Sequence, residues 1–205
     1  MLHKKSKKTL TYCTFLLSYR YRHTPVSHLM EEDMRFMFLA ALGATLAATS
    51  ARSQSAALDD PTIVAIFDAA NTFDVETGQL ALKKSGNKAV RALAQQFIND
   101  HKSVRQQGRD LAKKLSVTPT PPKPFALAEA HAKAMAELRS KSGADFDQAY
   151  VTHEVNFHQA VLDAVQGTLL PAIKNAELKG FVEKVGPAFG GHLEAAKQLE
   201  KRLTV

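Results

Sequence analysis

One stretch of this sequence admits a single kind of regular structure. From Val90 to Leu115 the residues Val90, Leu93, Phe97, His101, Val104, Gly108, Leu111 and Leu115 follow one another in steps of three or four without a gap. That spacing keeps one face of a 3.6-residue helix in register over seven turns and cannot serve a strand, whose faces alternate every two residues. The run stops before TPTPPKP at residues 118–124, where four prolines forbid helix.

Three further stretches carry the same signature. Asp59 or Asp60 can cap a helix with Pro61 at its first position, and Ile63, Ile66, Phe67, Ala70, Phe73 and Leu80 follow as its apolar face up to Ser85-Gly86-Asn87. A short helix is expected from Phe125 to about Arg139, ended by Ser142-Gly143. Asp145 can cap the third long helix, with Val151, Val155, His158, Leu162, Val165 and Leu169 on one face before Pro171. The fourth runs from Lys174 to Leu203 on Phe181, Val185, Ala188, His192, Ala195 and Leu199, with Pro187 and Gly190-Gly191 expected to kink it. No run of period two lies between hairpin turns, so no sheet is expected. Four amphipathic helices must bury their stripes on one another, which predicts an all-α, ferritin-like four-helix bundle with a short extra helix in the connection between helices 2 and 3. The tight breaks make the first pair antiparallel and the last pair antiparallel.

The residues ahead of these helices have a different character. From Met34 the chain reads MRFMFLAALGATLAATSARSQSAALDDP. Arg35 gives a short basic start, Phe36 to Ala48 is apolar but too short to span a bilayer comfortably, and small residues follow that would suit cleavage after Ala51, Ser55, Ala56 or Ala57. Residues 34–57 are therefore expected to be a signal peptide. Residues 1–33 read as a mis-assigned start or an extended basic region, and 58–205 as the bundle domain, exported and periplasmic, with no transmembrane span in the mature chain. Charge divides at the same place. Residues 1–57 hold eight Lys/Arg against three acids, and the remainder nineteen against seventeen, so most of the net charge of +7 belongs to the leader. Without a basic stripe on the folded part, no nucleic-acid partner is expected. The single cysteine, Cys13, also precedes the bundle, which excludes disulfides, thiolate metal sites and CxxCH haem attachment from the mature chain.

Each long helix places one ionisable residue on its apolar face: Glu76, His101, His158 and His192. A buried imidazole or carboxylate costs free energy unless it is paired or ligated. One such residue reads as a hydrogen-bonded core group, whereas one per helix suggests a shared site. Three imidazoles and a carboxylate suit a divalent transition metal such as zinc, copper or iron. The competing reading is a structural His/Glu network that fixes helix register and binds nothing. Register weighs against simple convergence. Glu76 lies ten residues before Gly86 and His101 fifteen after it, an offset of about 7–8 Å along the axis, and His158 and His192 lie thirteen and twenty-one residues from Pro171. Glu154, four residues before His158, and Asp100, beside His101, are secondary candidates. Asp100 is expected to point to solvent, His153 to sit at a boundary, His131 to face water, and Tyr150 either to bond a core histidine or to pack.

The paired carboxylates and Glu-x-x-His motifs of a di-iron bundle are absent, as are His-Glu-x-x-His, a GxSxG elbow and a phosphate-binding loop. No catalytic residue is assigned, and a non-enzymatic role is favoured. A metal-binding bundle, an interaction or stress-protection module with a structural core, and a redox or haem-binding protein are the three readings, with a homo-oligomer open to each.

The runs FDAANTFDVETGQLALKKSGNKAVRALAQQFINDH, FDQAYVTHEVNFHQAV and VGPAFGGHLEAAKQL resemble a large bacterial family of exported ferritin-like domains of unknown function, often labelled outer-membrane or exported proteins. The resemblance covers about residues 60–203. It rests on Glu76, on Asp100-His101, on Phe146-Asp147-Tyr150-His158, and on Pro187-His192-Leu193, four motifs in order. His153 and Glu154 fall outside the pattern. The resemblance implies a fold and an export route, and no activity.

Overall fold

The computed structural model describes residues 58–204, and the expectations for residues 1–33, Cys13 and the leader at 34–57 lie outside them. Among the described residues there are helices and no strands. They are α1 (Asp60–Lys84), α2 (Lys88–Lys114), α3 (Ala126–Ser140), α4 (Gly143–Ala164), a π-helical segment (Val165–Leu169), the single turn α5 (Leu170–Ala172) and α6 (Ala176–Leu203). None of them is long and apolar enough to cross a membrane.

Local chemistry sets the helix ends. Asp59 caps α1, its carboxylate accepting from the Thr62 N–H at 2.9 Å, with Pro61 in the first turn where its missing N–H is harmless. Asn87 and Asn175 cap α2 and α6 in the same way. Asp145 does not cap α4. Ser142 holds that position without a side-chain bond, and Asp145 sits in the first turn. Asp60 instead reaches across the molecule, accepting from the Lys174 and Asn175 N–H groups at 2.9 Å each and fixing the start of α1 to the turn before α6.

α1 packs on α2 and α4 on α6, with α2·α6 and α1·α4 contacts closing the four-helix ring. α3 lies against α1 and α4. Leu127, near its start, shares a pocket with Leu58 and Ile66 at the start of α1, and its last turn accepts from Lys84 at the end of α1. The connection therefore traverses the bundle lengthwise, so α2 and α4 run parallel. Gly78 lets α1 and α2 approach closely: a Cβ there would lie 2.8 Å from Ile98 Cγ1 and 3.3 Å from the Ala94 carbonyl oxygen.

Two apolar layers fill the interior. One holds Phe97, Phe146, Val151 and Leu199, the other Ile63, Ala112, Leu169 and Leu178. One departure from the sequence pattern matters for what lies between them. The helix begun at α4 does not stop before Pro171, because the π segment and α5 carry it to Ala172 and the turn falls at Ile173–Asn175. α6 runs through Pro187 and both glycines as the single helix expected there.

Candidate metal centre

Between the two apolar layers lies a polar one, and every long helix contributes to it. His101 (α2), His158 (α4) and His192 (α6) are buried, as the stripes predicted. Moving the second turn from Pro171 to Lys174 places His158 and His192 sixteen and eighteen residues from it, an axial mismatch of about 3 Å. The three rings meet. His101 Nε2 lies 3.3 Å from His158 Nε2 and 3.2 Å from His192 Nδ1.

The carboxylate from α1 is Asp74 and not Glu76. Glu76 is exposed and binds His131 Nε2 at 2.8 Å on the outer side of α1. Asp74 is 1% exposed, with Oδ2 3.4 Å from His101 Nε2 and 3.5 Å from His158 Nε2. The sequence carried two signals for it. Asn71, Asp74, Gly78 and Ala81 recur at helical spacing and are all buried, but this face of α1 is polar and small rather than apolar. Register pointed the same way: Asp74 lies twelve residues before Gly86, three off His101, where Glu76 is five off.

The outer nitrogens of the rings decide what the inner ones can do. His158 Nδ1 donates to the Glu154 carbonyl oxygen at 2.9 Å. His192 Nε2 donates to Asp100 Oδ2 at 3.0 Å. His101 Nδ1 donates to Asn71 Oδ1 at 2.9 Å, while the Asn71 amide itself donates to the Phe67 carbonyl and so holds its oxygen toward the ring. With each N–H spent on an outer acceptor, the three inner nitrogens face one another as lone pairs. Asp100 thus points to His192 rather than wholly to solvent. Phe97 stacks on His192 with centroids 4.4 Å apart, and Phe189 on His101 at 5.2 Å, which fixes the ring planes.

Electrostatics sharpen the arrangement. Burial, then the neighbouring imidazoles His158 and His192, push His101 down to about 2, and burial pushes His158 down to about 4. A proton is therefore a poor occupant of the space between the rings. Burial, then the charge and hydrogen bonding of the adjacent Glu154 carboxyl, raise Asp74 well above the usual carboxylate range, so that in the metal-free protein it keeps its proton. Glu154 is fully buried one layer out, accepting from Thr77 Oγ1 at 2.9 Å, and burial raises it to about 8. Its Oε2 stands 3.6 Å from His158 Nδ1, the nitrogen already committed to the backbone. Tyr150, fully buried, belongs to this carboxylate side and not to the histidines. His153 stacks on Phe157 at the boundary, as expected, whereas His131 does not face water but stacks on Phe73 at 4.2 Å.

His101, His158 and His192 offer nitrogens that all lie within 4.8 Å of one another, two of the pairs at 3.2–3.3 Å, and Asp74 Oδ2 comes within 3.4–3.5 Å of the His101 and His158 nitrogens, spacings close to those of a first coordination sphere. A tetrahedral ion with bonds of about 2.0–2.1 Å separates its ligands by about 3.3–3.4 Å. The same distances leave no room for a porphyrin between any two of the rings.

A family described as Domain of unknown function (DUF4142) matches residues 45–199, three quarters of the chain. The chain belongs to this family. No curated protein and no solved structure matches it. In this DUF4142 chain the three histidines His101, His158 and His192, and the carboxyl groups Asp74 and Glu154 beside His158, all fall within the matched span.

Proposed function

We propose that this chain is an exported, periplasmic bundle that binds one divalent transition metal, zinc, copper or iron, through His101 Nε2, His158 Nε2, His192 Nδ1 and Asp74 Oδ2. The observation that carries this reading is the commitment of all three outer ring nitrogens to acceptors, which leaves three inner lone pairs facing one another, with the buried Asp74 carboxyl beside two of them. Asn71, Asp100 and the Glu154 carbonyl orient the imidazoles, the part that outer partners play in metal sites generally. Glu154 supports His158 and Asp74 from outside. Glu76 has no part in the site. With one ligand from each long helix, the ion would join the α1/α2 pair to the α4/α6 pair, which suits storage, sensing or stabilisation of the fold.

A structural polar core that fixes register is the rival reading, in which the proton that burial keeps on Asp74 is what the inner nitrogens of His101 and His158 share. Elemental analysis separates the two. The purified protein, without a His-tag, is expected to carry about one equivalent of metal per chain, and the His101→Ala/His158→Ala variant none. Metal-free parent protein after incubation with zinc, copper or iron would sink the proposal.

A further inference from the structure

At the end of the bundle where α1 and α6 begin, a cavity of about 330 Å³ lies between α1, α2 and α6, with Pro119 of the proline connection beside it. Ile63, Val64, Phe67, Leu178, Phe181 and Val182 give it apolar walls. On the α2 side the buried position of the stripe is Gly108, so backbone rather than a side chain closes the wall there. A Cβ on Gly108 would stand 3.2 Å from the Phe67 ring and 3.5 Å from the Phe181 ring, and the glycine thus sets how closely the two rings approach α2.

Three charged residues stand among these apolar ones, and their signs do not balance. Arg105 and Arg109 are four residues apart and share one face of α2. Both donate to Asp68 of α1, Arg105 through Nε at 3.2 Å and Arg109 through Nε and, at 3.0 Å, through Nη2. Two guanidinium groups on one carboxylate leave the rim one positive charge in excess. Among the described residues, neither amino group of Arg105 nor Nη1 of Arg109 has an acceptor. Asp68 also holds both side chains in place before any ligand arrives, which lowers the ordering cost of binding. The groove of equal volume between α1 and α4 has no charged residue on its wall, and so nothing to orient an occupant.

Walls and rim suit different parts of one ligand. Hydrocarbon gains free energy by leaving water for the walls, and a carboxylate matches the fork of a guanidinium. An inorganic anion would leave the walls unused, and an uncharged apolar molecule would leave the arginines unused. Apolar cavities of about 300–1,000 Å³ with a few polar groups are the usual form of small-molecule sites. At about 30 Å³ per heavy atom, the share of a water in the liquid, this one accommodates about ten. We propose that the cavity binds a medium-chain aliphatic carboxylate, its hydrocarbon body against Phe67, Phe181 and Val182 and its carboxylate on Arg105 and Arg109. None of the four proposed metal ligands lines the cavity, and the proposal does not rest on the metal reading.

Calorimetric titration of the purified protein with octanoate, octanol and acetate tests it. About one octanoate per chain is expected, with the negative heat-capacity change that marks apolar burial. Octanol and acetate are each expected to bind at least about tenfold more weakly, the loss of one charged hydrogen-bonded contact or of the buried chain. Arg105→Gln/Arg109→Gln is expected to weaken octanoate by about tenfold or more and to leave octanol unchanged. Val64→Phe, which narrows the cavity and leaves the rim intact, is expected to weaken both. The arginines lie at the surface, so their variant decides the matter even where Val64→Phe fails to fold. Protein that ignores octanoate, binds octanol or acetate as tightly, or keeps its octanoate affinity without the two arginines would overturn the proposal.

Discussion

At the scale of single residues, the site turns on which side of α1 faces inward. Glu76 and Asp74 are two residues apart and therefore about 200° apart around the helix, so only one can reach the histidines. Asp74→Asn keeps the shape but removes the charge, and is expected to weaken metal affinity by more than about a hundredfold, since an outer-shell partner alone is worth about 10–100-fold. Glu76→Gln is expected to leave affinity unchanged. Asp100→Ala, which frees His192 Nε2, should fall between the two, at about 10–100-fold. Competition titration against a chromophoric chelator ranks all three, and Glu76→Gln matching Asp74→Asn would reverse the assignment. Glu154 makes a separate prediction on pH. Its folded pKa of about 8 lies above its ordinary value of 4.5. The folded, metal-free protein therefore holds a proton that the unfolded chain has released, and the associated stability is present at low pH and lost as pH rises through about 8. The part of the urea midpoint that depends on Glu154, read as the difference between chelator-treated parent and Glu154→Gln, is expected to fall from about pH 5 to 8 and to level off above. Equal slopes in the two proteins would remove Glu154 as the cause.

At the scale of elements, close helix approach and open helix surface give opposite results for the same substitution. Gly78→Ala would gain about 1 kcal/mol of helix propensity but drive a methyl group into Ile98 and the Ala94 carbonyl, and overpacking costs about 1–3 kcal/mol. It is expected to destabilise. Gly180→Ala, inside α6 with nothing near its Cβ position, is expected to stabilise by about 0.5–1 kcal/mol. Denaturant midpoints at constant slope test the pair, and a stabilising Gly78→Ala would show that α1 and α2 can part without cost. The elements themselves were largely legible in the sequence. Val90, Phe97 and His101 on α2 are buried as their spacing required, because that face is apolar and its polar exception is a single residue. The turn before α6 was less legible. Pro171 ends no helix, since the π segment before it absorbs a residue and a proline at the start of a turn needs no N–H partner. The misplaced turn is what made His158 and His192 look eight residues out of step. Asp74 was hidden for a related reason: α1 buries Asn71, Asp74 and Thr77 on its inner face while Ile66, Phe67 and Phe73 are only half-buried, so a search for an apolar stripe finds its shoulder rather than its centre.

At the scale of the whole molecule, the polar layer is a seam between two helical pairs, with apolar packing above and below it. The layers around Phe97 and Leu199 and around Ile63 and Leu178 each join both pairs, so the bundle does not depend on metal to fold. On the metal reading, the ion would stabilise the seam. In the metal-free protein three inward-directed imidazole lone pairs and the protonated Asp74 carboxyl share a buried space, and the unfolded chain is free of that confinement. Ligand linkage sets the size of the effect: free metal at a hundred times its dissociation constant stabilises the folded state by about 2.7 kcal/mol, which for a domain of this length raises Tm by about 5–10 °C. Thermal scans at pH 7.5 are expected to show that rise on adding metal to stripped protein and its loss on adding chelator, while His101→Ala/His158→Ala gives one curve in all conditions. The comparison separates the two accounts of the core through the sign of the chelator effect. If the imidazoles only hydrogen-bond one another, the parent would melt at the same temperature with metal or chelator and lose stability only on acidification, as His101 and His158 are forced to take protons below their ordinary value of 6.5 while their folded pKa values lie near 2 and 4. A parent insensitive to chelator but sensitive to acid would therefore reduce the four converging groups to a device for aligning helices.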